Sequence, residues 1–199
     1  MRIRPRLLVA SLAVAVAVIA LFAVLQRSGG SDDDVDARLS DPGTVITYPN
    51  DGLVNDAVVG DPFPDVVLTA AADGSVVSTA DLLGEPLVVN VWYTTCPPCA
   101  KELPDFATVD AEHDDVRIIG VNAIDSIEVM ERFAGERGVE YDLFSDQDAE
   151  LIDAIGAVAM PVTLFVTSDG MIVEQTGALD ADQLRVEIEN LVAIDEATA

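Results

Sequence analysis

The sequence predicts an α/β domain, and three features carry that reading. Pro86–Tyr93 and Val116–Asn122 are near-continuous apolar runs, as expected of strands buried on both faces. Segments with apolar residues at three- and four-residue spacing, the helical period, are interleaved with them. Apolar pairs around Ala-Asp-Gly (72–74) and Ser-Asp-Gly (168–170) read as hairpins at the two ends. The alternation implies parallel strands with crossover helices, the last hairpin adding an antiparallel edge.

Taken in order, Asp65–Thr69 and Ser75–Ser78 form the first hairpin, and Thr79–Gly84 is one capped helical turn closed by glycine. The strand Pro86–Tyr93 leads into a helix from Pro97 to about His113. Proline is allowed at its first position, and Pro104 is expected to kink it. After the strand Val116–Asn122, Ser126–Arg137 places Ile127, Met130, Phe133 and Ala134 on one helical face and stops at Gly138. A short helix at Asp148–Ile155, the hairpin Val162–Val166 and Met171–Gln175, and an amphipathic helix Asp182–Val192 complete the order β-β-β-α-β-α-α-β-β-α.

Four regions follow: 1–27, 28–57, a domain at 58–194, and a tail at 195–199. Leu7 to Leu25 contains nothing more polar than Ser11, and as a helix it measures roughly 28 Å, about one bilayer core. Arg2, Arg4 and Arg6 precede it and Arg27 alone follows, which keeps the N-terminus cytoplasmic and the domain outside. A cleaved signal peptide is the competing reading and gives the domain the same side of the membrane. Residues 28–57, rich in Gly, Ser, Asp and Pro, read as a tether, with Val45–Tyr48 the one stretch suited to an edge strand.

Composition excludes several functions. All 36 acidic residues lie beyond residue 28, where only six of the ten basic residues fall, giving that part a formal charge of −30. Binding nucleic acid through a basic face is excluded. Two cysteines rule out a disulfide framework and an all-thiolate zinc site, and one histidine rules out an HExxH site. The acidity suits a protein kept soluble in concentrated salt, and at low salt it also attracts cationic partners.

The chemistry is concentrated at Trp92-Tyr-Thr-Thr-Cys96-Pro-Pro-Cys99-Ala-Lys-Glu102-Leu-Pro104, where a strand hands over to a helix. With Cys96 as N-cap, Pro97 and Pro98 offer no N–H, so the first amide able to reach the Cys96 sulfur is that of Cys99. This bond and the helix dipole stabilise a Cys96 thiolate. Cys99, one turn in, is placed to attack a mixed disulfide on Cys96. A half metal site lacks partners beyond His113, and a purely structural bridge across so short a loop stabilises little.

Gly60-Asp-Pro-Phe-Pro-Asp65, Leu87-Val-Val-Asn-Val-Trp92, Cys96-Pro-Pro-Cys99, Glu102-Leu-Pro104 and Met160-Pro-Val-Thr163 occur in one order. Together they resemble the membrane-anchored, extracytoplasmic thioredoxin-like thiol–disulfide oxidoreductases of the TlpA/ResA type, over about residues 58–194. The resemblance implies a thioredoxin-like fold, Cys96 attacking and Cys99 resolving, and a cis-proline at Pro161. It implies a substrate face made by Met160, Pro161, Thr95 and Pro97. The electron donor would be a membrane thiol reductase and the client an exported disulfide protein, such as the CxxCH of an apocytochrome c. No cofactor beyond the redox disulfide is expected. Glu102 matches an acid that tunes cysteine protonation in this family; position alone equally allows a solvated surface acid. Asn90 stands where cytoplasmic thioredoxins carry a buried Asp, and cannot titrate. Thr95 stands where the family usually has Trp. Two other activities share the fold. Peroxidases of the peroxiredoxin type place Thr where this chain has Tyr93, and copper carriers use a wider cysteine spacing with a later His.

Overall fold

The computed structural model describes residues 58–198; the expected anchor at 1–27, the tether at 28–57 and Ala199 lie outside the described residues. The strands are β1 (Val67–Ala70), β2 (Val76–Ser78), β3 (Leu87–Val91), β4 (Arg117–Asn122), β5 (Asp142–Ser145), β6 (Val162–Val166) and β7 (Ile172–Thr176). The helices are α1 (Pro97–Asp110), α2 (Ile127–Gly135), α3 (Glu150–Ala154) and α4 (Ala181–Thr198), with a 3-10 turn at Thr79–Leu82. Seven strands form one mixed sheet in the order β2-β1-β5-β4-β3-β6-β7. β3, β4 and β5 run parallel, while β1, β2, β6 and β7 pair antiparallel with their neighbours.

Alternation along β3 divides its residues between two cores. Leu87, Val89 and Val91 pack with Leu82, Leu151, Ile155 and Leu164, under the 3-10 turn and α3. Val88 and Trp92 face the other way, against Leu103, Phe106, Met130, Leu184 and Ile188 of α1, α2 and α4. Asn90 shares that second direction, so the strand itself aims it at α1.

Gly120 of β4 lets this layer close. A Cβ there would stand 2.7 Å from Leu143 Cδ2 and 2.9 Å from Trp92 Nε1. Trp92 is buried and stacks on Phe133, with ring centroids 5.9 Å apart.

Two sequence expectations are corrected. The element order lacked β5, which sits between β4 and β1 and joins the first hairpin to the parallel strands. Only Phe144 and Ser145 of its four residues are buried, so it offers neither an apolar run nor a long alternation. The expected tail at 195–199 is helical as far as Thr198, and the Asp195 carboxylate accepts hydrogen bonds from Ser168 N (2.7 Å) and Oγ (2.8 Å).

Candidate redox site

Cys96 caps the N-terminus of α1 in extended conformation, and its sulfur accepts a hydrogen bond from Cys99 N at 3.2 Å. Pro97 and Pro98 occupy the first two helical positions, so no nearer amide competes. The two cysteines are joined as a disulfide. Cys96 is 4% exposed and Cys99 is sealed. An incoming sulfur therefore meets Cys96 first.

Met160 and Pro161 come from the segment before β6. The Met160–Pro161 peptide is cis, Pro161 is buried, and the Met160 carbonyl oxygen lies 3.5 Å from Cys96 Sγ. Thr95 and Pro97 are exposed on either side of Cys96. The fold thus brings Thr95, Pro97 and Met160 to the accessible sulfur, while Pro161 backs them from inside.

Glu102 is not a surface acid; it is 2% exposed. One carboxylate oxygen accepts from Asn90 Nδ2 (2.9 Å) and the other from Leu179 N (3.2 Å). Burial raises its pKa from 4.5 to about 7, with the nearby Asp105 adding to the rise and the bonds from Asn90 and Leu179 opposing it. Asn90 Nδ2 also donates to Thr163 Oγ1 at 3.3 Å, its cross-strand partner in β6. The amide is therefore fixed by the sheet and in turn fixes the acid. Lys101, the chain's one lysine, is exposed on the same helix. With Glu102, Asp105, Leu179 and Asp180 it lines a crevice of about 210 Å³ between α1 and the segment before α4. His113 lies on the surface, 3.3 Å from Asp115.

Sequence reasoning missed Asp125. It follows β4 and accepts from Thr94 N (2.8 Å), Thr94 Oγ1 (2.7 Å) and Asn122 Nδ2 (2.8 Å). Burial alone would raise its carboxyl, but the bonds from Thr94 and Asn122 outweigh it and hold the pKa below the usual 3.8. This clamp secures the loop two residues ahead of Cys96. Asn122 is only three residues away, but no local signal marks the reach to Thr94, which is 31 residues distant.

A buried acid of raised pKa and a sulfur at a helix start are the parts needed for proton-coupled thiol–disulfide exchange. Comparison with known proteins agrees. The family model for redoxins matches residues 58–189. Thiol-disulfide oxidoreductase ResA of Oceanobacillus iheyensis is 33% identical over 132 residues, covering 63% of this chain and 69% of that protein. ResA of Halalkalibacterium halodurans is 31% identical over 110 residues, or 54% of this chain; the chain spans 62% of that relative's length. Among solved structures, DsbF of Mycobacterium tuberculosis, described in mixed oxidised and reduced forms, superposes with a TM-score of 0.59 at 26% identity. That match covers 64% of this chain and 95% of DsbF.

Proposed function

The chain belongs to the redoxin family, as a TlpA/ResA-type thioredoxin-like member, and on that premise we propose that it is a thiol–disulfide oxidoreductase that reduces disulfides of exported proteins. In the reduced protein the Cys96 thiolate attacks one sulfur of a client disulfide. A Cys96–client bond forms, the client's own S–S bond breaks, and its second sulfur leaves as a thiolate that takes up a proton. Cys99 gives its proton to Glu102 and attacks the Cys96 sulfur. The Cys96–Cys99 bond forms, the Cys96–client bond breaks, and the departing client sulfur takes up the proton held by Glu102, so the client leaves with two thiols. Two electrons pass to the client for each protein dithiol oxidised. A base with a pKa near 7, one helical turn from Cys99, suits this transfer at neutral pH. The client's extended backbone lies beside Met160 and Pro161, with Thr95 and Pro97 flanking the attacked sulfur.

The apolar segment 7–25 holds the domain at the outer face of the membrane, where a membrane thiol reductase regenerates it. The CxxCH of an apocytochrome c is the client this reading favours. Its main support is the Cys96 sulfur itself, bonded by the Cys99 amide at a helix start with Cys99 sealed beneath it. Insulin reduction by the reduced protein tests the proposal: Cys96→Ser abolishes it, and Cys99→Ser accumulates a mixed disulfide. Full activity in Cys96→Ser refutes it. A reduction potential near that of thioredoxin supports the reducing direction, and one near the strong periplasmic oxidants reverses it.

A further inference from the structure

Pro104 lies inside α1 and has no N–H, so the carbonyl of Ala100, four residues earlier, lacks its helical donor. Ala100 directly follows Cys99. Arg137, in the turn after α2, takes the vacant place: its Nε donates to Ala100 O at 3.3 Å. The guanidinium is itself held. Its second nitrogen donates to Phe133 O at 2.8 Å, and its central carbon stands 3.4 Å from the centroid of the Phe133 ring. Phe133 stacks in turn on Trp92 of the core. The Glu136 carboxylate is 4.0 Å away and 63% exposed, so it competes weakly for the charge.

We propose that Arg137 is a positioning residue for the redox pair: it supplies the hydrogen bond that Pro104 withholds, and so fixes the first turn of α1 on which the Cys96 sulfur depends. The redox consequence rests on the oxidoreductase reading, whereas the exchange of one hydrogen bond for another does not. Two alternatives are distinguishable from it. Arg137 acting only as a charge, or only as a stacking partner of Phe133, has no connection to residue 104.

The test is a double-mutant cycle between Arg137→Gln and Pro104→Ala. Alanine restores an N–H at 104, and with it the helical donor to Ala100. Three quantities are read in the full chain at one fixed pH: the unfolding equilibrium of the oxidised protein, the glutathione equilibrium of the cysteine pair, and the alkylation rate of Cys96 after reduction. With Pro104 present, Arg137→Gln lowers the folding equilibrium constant about tenfold, the usual scale of a hydrogen bond from a charged donor. It also slows Cys96 alkylation and shifts the glutathione equilibrium, each severalfold. In the Pro104→Ala background all three changes fall below about twofold. Equal losses in both backgrounds overturn the proposal. A stability loss that leaves alkylation and the glutathione equilibrium unmoved also overturns it, since the role would then be structural alone. Should Arg137→Gln not fold, Arg137→Lys, which keeps the charge without the planar fork, is carried through the same cycle. Failure of the oxidoreductase reading appears separately, as absence of insulin reduction by the unaltered protein.

Discussion

Replacing Glu102 by glutamine isolates the energetic consequence of burying an acid behind the redox pair. In the folded protein this carboxyl titrates near 7 instead of 4.5, because burial disfavours its charged form. Between those values the folded protein keeps a proton that the unfolded chain has released. The unfolded state thus binds fewer protons, and stability falls as pH rises through this window. At 1.36 kcal/mol per unit, the loss from pH 4.5 to above 7 is about 3 kcal/mol. Glutamine is neutral throughout and cannot show it. The stability of Glu102→Gln relative to the unaltered protein should therefore rise by about 3 kcal/mol between pH 4.5 and 8, then level off. Other shifted acids, such as Asp110 and Asp125, cancel in the difference. The assay is guanidinium unfolding of the oxidised protein followed by far-ultraviolet circular dichroism, with the disulfide intact so that no thiol titrates. A difference that stays flat across this range would show the carboxyl ionising normally, and the account of Glu102 as a base tuned by burial would be wrong.

Gly120→Ala should destabilise the protein by about 1–3 kcal/mol, measured as the urea midpoint, because Trp92 Nε1 and Leu143 crowd the new Cβ and the stacked indole cannot swing away. The same variant should change the emission of the single tryptophan. Asp125→Ala should cost about 1–3 kcal/mol at pH 7 by orphaning Thr94 N and Oγ1. Since the Asp125 pKa is depressed, this contribution is present above 3.8 and disappears as pH falls through the lower folded value. Unfolding measured at pH 7 and pH 2.5 checks both halves of that statement.

The legible parts of the fold were those with a signal of their own. β3 and β4 announce themselves by apolar runs, and α1 and the first hairpin by proline and glycine at the positions their backbones require. β5 has no such signal. Its four residues are a strand because β4 and β1 offer ladders on both sides, a tertiary cause that no local window contains. The last turn of α4 was lost for a similar reason. Leu191 is the last buried residue, and what engages the helix beyond it is Asp195 reaching Ser168. At the site, the sulfur capping α1 follows from spacing, because two prolines leave one amide in range. The burial of Glu102 does not, since the groups around it, Asn90 and Leu179, are 12 and 77 residues away. Strand alternation aims Asn90 at α1, but only the completed packing shows what it meets there.

Lys101 has a practical use. In a chain with 36 acids and a single ε-amine, a succinimidyl dye finds one side-chain target, exposed on α1 two residues beyond Cys99. A fluorophore attached there would report on whatever settles over the sulfur, without an engineered cysteine to confuse the thiol count. Its anisotropy would rise on client capture and relax on release, turning each catalytic cycle into an optical trace.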